Sequence, residues 1–201
     1  ALESRHIETM SSALDSLAKI NTDHFDVQLR KIGDDTSSPA LIRVKALGAI
    51  SINSGPMGQE AFTLLIELLR SGSGSSQRMK AASILSKARL TTDQELGVAE
   101  IIKSAGPLEL PTLMDIFNKA GDVPIGFALV EALESSKAIG ALSPSELQRL
   151  LARFPPEVLD RAKPLVNRLF DQVEQRDTRL ENMSQKLEFG DPSKGRNVFI
   201  T

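Results

Sequence analysis

The chain has 201 residues, a net charge of −2 and 41% apolar residues, enough to bury a full hydrophobic core. That charge, with neither Trp nor Tyr, argues against nucleic-acid or anionic-membrane binding driven by global charge and against aromatic stacking platforms. There is no cysteine, so disulfides, thiolate zinc sites, cysteine nucleophiles and covalent haem attachment are excluded from these residues.

Apolar spacing predicts helices from end to end. The first, over 3–19, carries Ile7, Met10, Leu14 and Leu17 at steps of three and four. Helices over 22–32 and 39–52 follow, then one over 57–70 with Phe62, Leu65, Ile66 and Leu69 on one face. Next come 76–89, 92–105 and 107–120, the last with Leu110, Leu113, Met114 and Phe117. The series ends with 124–138, 144–153 (Leu147, Leu150, Leu151 and then Phe154) and 156–187. Ser38-Pro39 and Ser143-Pro144 read as N-caps followed by proline at the first helical position. Ser143 with Glu146 and Thr92 with Glu95 have capping-box spacing. Gly33, Gly72, Gly106, Gly121 and Gly140 follow helical runs, where a left-handed residue can close a helix. No period-two alternation marks a strand, and no stretch approaches the ~18–20 apolar residues that cross a bilayer, so no membrane insertion is expected.

Two segments are similar at an offset of 35: Arg43-Val44-Lys45-Ala46-Leu47-Gly48-Ala49-Ile50 and Arg78-Met79-Lys80-Ala81-Ala82-Ser83-Ile84-Leu85. A third, Ile125 to Leu133, lies a further 47 residues on and lacks the basic residues. Such intervals suit a helix-pair repeat, and the pattern resembles the second helix of HEAT or armadillo-like repeats. The expected fold is all-α, a HEAT/armadillo-like superhelix of antiparallel helix pairs with a long C-terminal helix. An irregular helical bundle is the alternative. In the last helix Val166, Leu169, Val173, Leu180, Met183 and Leu187 occupy heptad a and d positions, with Arg176 at one d position. That stripe suits a coiled-coil partner or a helix lying along its own domain. Pro164 would kink this helix or divide it.

Candidate chemistry is sparse. The two histidines, His6 and His24, have no His-Glu-x-x-His context and read as solvated or capping residues. No Gly-x-Ser-x-Gly elbow is present, and Gly72-Ser73-Gly74 lacks the Lys and the preceding strand of a phosphate loop. Asp34-Asp35 reads as a solvated carboxylate pair at a helix end. The candidate partner-binding residues are Arg43, Lys45, Arg78 and Lys80. If the two repeat helices stack in parallel, these four form a cationic ladder for an acidic partner surface. Otherwise they make surface salt bridges or line an inter-repeat groove.

Near the C-terminus stands Gly190-Asp191-Pro192-Ser193-Lys194-Gly195-Arg196-Asn197-Val198-Phe199. The pattern Gly-Asp-Pro-x-x-Gly-Arg-x-x-Phe resembles the opening turn of small c-type cytochromes, just before their Cys-x-x-Cys-His haem attachment. Ahead of it come Ala120-Gly121-Asp122-Val123-Pro124, then Leu150-Leu151-Ala152-Arg153-Phe154-Pro155-Pro156-Glu157-Val158 and a long helix. In this order the chain resembles the helical middle region of planctomycete-type multidomain haem proteins. In that family a sorbosone- or glucose-dehydrogenase-like propeller comes first and a cytochrome c domain closes the chain.

The resemblance implies a division into a helical repeat domain, 1–188, and the start of a cytochrome c-like domain or linker, 189–201. It gives Gly190, Asp191, Gly195, Arg196 and Phe199 a structural role in starting and packing the first cytochrome helix. It further implies haem c and dehydrogenase activity for the parent protein, with no cofactor in this segment, and a periplasmic or cell-envelope setting. Ala1-Leu2-Glu3-Ser4 reads as the inside of a helix, so a longer parent is expected. The expected function is a non-catalytic scaffold or docking module between the propeller and the cytochrome, with neighbouring domains or another protein as partners. The alternative is an independent interaction repeat that binds a partner on its concave face. An enzyme in the manner of helical DNA-repair glycosylases is disfavoured by the acidic balance and the missing Trp and Tyr.

Overall fold

A computed structural model of the chain describes residues 2–20, 23–50, 55–70, 74–119 and 121–187. Among the described residues there are ten α-helices and no strand, so the chain is all-α. The helices are α1 (Leu2–Ile20), α2 (Asp26–Asp34), α3 (Ala40–Ala49), α4 (Gln59–Arg70) and α5 (Ser75–Lys87). Then follow α6 (Thr92–Ile102), α7 (Glu109–Met114), α8 (Val123–Ser135), α9 (Pro144–Leu151) and α10 (Pro156–Leu187). Three 3₁₀ turns, Asp23–Phe25, Asp115–Lys119 and Ile139–Ala141, extend or link them.

The chain divides into two compact units, Ala1–Arg161 and Ala162–Thr201. The division falls inside α10. The boundary expected at 188/189, and with it Gly190, Asp191, Gly195, Arg196 and Phe199, lies outside the described residues.

In the first unit the packing follows chain order. α1 packs on α3, α2 on α4, α3 on α5, α4 on α6, α5 on α7 and α6 on α8. Neighbours in sequence, such as α2 with α3 and α4 with α5, also pack together. The short link of residues 35–39 turns the chain back between α2 and α3. Leu14, Leu29, Ile42 and Ala46 join α1, α2 and α3 in one buried cluster. Further on, Leu65, Leu85, Ile101, Leu110 and Phe117 are fully enclosed, each leucine-sized side chain contributing about 2 kcal/mol by leaving water. Ala61, Ala81, Ala82, Ala99 and Ala132 are buried between the larger residues, and their small side chains let the helix backbones approach.

The third sequence similarity does not extend the row of the first two. One helix, α4, separates α3 from α5, whereas two, α6 and α7, separate α5 from α8. The even count places α8 on α6, while α7 packs on α5.

Helix ends differ from expectation in places with a local cause. Ser38 does not cap α3, because its hydroxyl donates to Asp35 Oδ2 at 2.8 Å. Pro39 becomes the N-cap instead. The capping box before α6 is one residue earlier than expected, at Thr91 and Gln94: Gln94 N–H donates to Thr91 Oγ1, and Thr91 N–H donates to Gln94 Oε1. The register is chosen by a third bond, Gln94 Nε2 to the Met57 carbonyl at 3.2 Å, which a glutamate could not donate. At α9, Ser143 is the N-cap as expected, accepting from Glu146 N–H at 3.5 Å. The helix expected over 107–120 is α only over Glu109–Met114 and tightens into 3₁₀ over Asp115–Lys119, turning both Ile116 and Phe117 inward. None of Gly33, Gly106 and Gly121 adopts a left-handed φ. α2 continues through Gly33 to Asp34. The role of Gly33 is close approach, since a Cβ there would lie 2.5 Å from Leu47 Cδ2 on α3.

Gly126 serves the same purpose within α8. A Cβ added there would sit 2.7 Å from one Val158 methyl and 2.8 Å from Phe154 Cδ1. Val158 is buried and β-branched, so it has one usable rotamer and cannot swing away. Overpacking costs about 1–3 kcal/mol, more than the gain of up to ~1 kcal/mol from alanine's helix propensity. Gly126→Ala is therefore expected to lower the urea midpoint. A midpoint above wild type would mean that the two helices are not in contact at this glycine.

α10 is continuous through Pro164. Along its part in the second unit Ala162, Leu165, Val166 and Leu169 are buried. Beyond them Leu180 and Met183 of the apolar stripe are exposed, as is Phe170 outside it. Among the described residues no helix is long and apolar enough to cross a membrane.

Candidate functional site: a cationic pocket beside α5

The four basic residues of the two similar segments meet different fates. Arg43 is only 8% exposed. Its Nε donates to the Gly33 carbonyl at 2.9 Å and an Nη to the Glu60 carbonyl at 3.2 Å. The first of these sits at the C-terminal end of α2, where a cation also opposes the negative end of the helix dipole. Lys45 pairs with Asp15 of α1 and with the Ser11 hydroxyl, both at 2.5 Å. Arg78 Nε donates to Glu109 Oε1 at 2.7 Å. The Glu109 side chain is 2% exposed and that of Arg78 30%. Lys80 is exposed. α3 and α5 are in contact, with Gly48 near the end of α3 lying beside Lys80 and Ile84 of α5. Lys80, not Arg43, stands at an open face.

That face is the rim of a pocket of about 140 Å³. Its charged lining residues are Arg30, Lys80, Lys87 and Arg89, against the single carboxylate of Asp34. In a chain with net charge −2 this is a local reversal of sign. Lys80 and Lys87 are seven residues apart on α5 and so share a face. The floor is apolar, with Leu47, Ile50, Met57, Ala61, Ile84 and Ala88. Gly48 opens the middle of it: a Cβ there would touch Lys80 Cε and Ile84 Cδ1 at 3.7 Å, ordinary contact distance.

One wall is a short loop tied down from three sides. Arg30 donates to the Pro56 carbonyl and, at 2.7 Å, to the Gly55 carbonyl. Met57 N–H donates to the Arg89 carbonyl at 2.9 Å. Gln94 holds the Met57 carbonyl. Gly58 lets this loop lie against Asp34, since a Cβ at 58 would stand 2.7 Å from Asp34 Oδ1. Asp34 Oδ1 is buried without a hydrogen-bond partner. The two carboxylates that read alike in sequence are thus different: Asp34 is partly enclosed, and Asp35 is exposed.

Asp35 and Asp15 are both held below the ordinary carboxylate range. For Asp35 the cause is the Ser37 and Ser38 hydroxyls with the Ser37 N–H; for Asp15 it is the hydrogen bond from Lys45. A lowered folded pKa stabilises the fold above the ordinary value of 3.8. That contribution disappears as pH falls through the lowered value. The loss in melting temperature caused by Asp35→Ala at pH 7 is therefore expected to shrink below pH ~4. A loss that stays constant down to pH 2 would contradict the ionic role. Glu95 shifts the other way, raised by burial and by Asp122.

His6 and His24 are exposed. Among the described residues no three or more His, Asp or Glu are grouped so as to hold a metal. Comparisons with protein-family models, with curated proteins and with solved structures find no match.

Of the pocket, sequence reading selected Lys80 alone and missed Arg30, Asp34, Lys87 and Arg89. The seven-residue spacing of Lys80 and Lys87, with Arg89 two further on, is a signal that was legible. Arg30 joins them only because α2 and the end of α5 meet around the 55–58 loop.

Proposed function

We propose that this chain is a non-catalytic scaffold or docking module with a HEAT-like arrangement of helices. The observation that carries the reading is the packing of each helix, from α1 to α6, on the helix two further along the chain. This is the contact pattern of a solenoid, in which each helix pair is supported by its neighbours and the stack holds attached partners at a set spacing. The resemblance at Gly190 to Phe199 supports a parent in which the partners are a dehydrogenase-like propeller and a cytochrome c domain with haem c. A periplasmic or cell-envelope location belongs to the same reading. The test is the coding sequence beyond residue 201. A Cys-x-x-Cys-His within about twenty residues supports the redox parent, and an open reading frame that continues without one removes it.

The second reading, an independent interaction repeat, is favoured by the cationic pocket. It is separated from the first by expressing 1–201 alone and asking whether it retains a partner that the rest of the parent does not supply.

A further inference from the structure

We infer that the pocket beside α5 binds an acidic peptide segment carrying one apolar anchor residue. The inference rests on the docking reading of this module and names the chemistry of its partner, whichever parent carries it.

Two observations select this occupant. The first is size. At about 140 Å³ the pocket is well below the ~300–1,000 Å³ of sites that enclose cofactors or whole small molecules. It is close to the ~150 Å³ that accepts a benzene ring in an engineered apolar cavity. One leucine- or phenylalanine-sized side chain fits. The second is the division of its chemistry. Ile50, Met57, Ile84 and Ala88 offer an apolar floor, which an inorganic anion would leave unused. Lys80, Lys87 and Arg89 stand at the exposed rim, and no hydrogen bond or ion pair of their side chains occurs among the described residues. An anchor flanked by carboxylates matches both parts at once, and the rim charges steer it in.

The loop of Gly55 to Gly58 is held by Arg30, Gln94 and the Arg89 carbonyl, so the wall is in place before the ligand arrives. Little ordering cost is then charged against binding.

The experiment measures fluorescence anisotropy of a labelled Asp-Glu-Phe-Glu-Asp peptide with the chain 1–201. Binding is expected to saturate and to weaken as salt rises. The Asp-Glu-Ala-Glu-Asp peptide is expected to bind at least about tenfold more weakly, from the lost anchor. Two variants remove the site without touching the core. Gly48→Leu fills the floor from an exposed helical position whose Cβ meets only ordinary contacts. Lys80→Glu with Lys87→Glu reverses the rim at exposed positions. Both are expected to lose binding while keeping the wild-type melting curve. Equal affinity for the phenylalanine and alanine peptides would reduce the site to surface electrostatics and overturn the inference. So would displacement of the peptide by millimolar inorganic phosphate at constant ionic strength, or unchanged binding by Gly48→Leu. None of these failures bears on the solenoid or on the redox parent, which are decided by the downstream coding sequence.

Discussion

Replacing Arg78 by methionine is expected to destabilise the protein by about 3–5 kcal/mol, the usual cost of removing one partner from a buried ion pair. The geometry places this pair in that class. Glu109 lies in the first turn of α7 with its carboxylate almost wholly out of water, and Arg78 reaches it from α5 at 2.7 Å. Methionine replaces much of the volume of the arginine stem, so the loss reads the stranded carboxylate more than a cavity. The position of Glu109 near a helix N-terminus offsets part of the penalty, which favours the lower end of the range. Glu109→Gln keeps an acceptor for Arg78 and is expected to cost about 1 kcal/mol. The double variant Arg78→Met/Glu109→Met strands no charge and should recover most of the loss. Urea denaturation of wild type, Arg78→Met, Glu109→Met and the double variant gives the coupling directly. An Arg78→Met loss under about 1 kcal/mol, the range of exposed pairs, would show that water reaches Glu109.

Arg43→Met is expected to cost about 3 kcal/mol, from two hydrogen bonds made by a charged donor, each worth roughly 1.5–3 kcal/mol with the longer one weaker. The Gly33 carbonyl loses its donor in a buried setting at the end of α2. The Glu60 carbonyl loses its link to α3, and with it one of the ties between the first three helices and α4. Lys80→Met is the control. It is the counterpart of Lys45 in the second similar segment and is exposed, so its effect should stay within about 0.5 kcal/mol. Lys45→Met should fall between them, since its partner Asp15 is half exposed and exposed pairs contribute little. If all four substitutions cost the same, burial does not distinguish them and the ladder expected from sequence becomes the better description.

These outcomes also show why the candidate site was only partly legible. Arg43 and Lys80 lie in the two similar segments, and sequence places both in one cationic ladder. What separates them is which helix lies beside each. Arg43 faces the end of α2, ten residues earlier in the chain, while Lys80 faces the opening above Gly48. Asp34 and Asp35 make the same point over a single residue. Gly58 brings a loop onto Asp34, and Ser37 and Ser38 turn back onto Asp35.

The sequence by itself determined the all-α class and most of the buried faces. Phe62, Leu65, Ile66 and Leu69 are all buried, as are Leu110, Leu113, Met114 and Phe117, because helical periodicity is a local property and needs no partner to be read. It could not determine how deeply each face is covered. Ile7 and Met10 lie on the same stripe as Leu14, yet they are exposed and Leu14 is buried. Nor could it say which helices pack together, as the third similar segment shows by packing on α6. Only the tertiary structure decided where the guanidinium groups end, which carboxylate is enclosed, and that four cations from α2, α5 and the residues after it meet around one apolar floor. Those are contacts between residues some ten to sixty positions apart, set by helix packing and chain reversals, and no local period in the sequence encodes them.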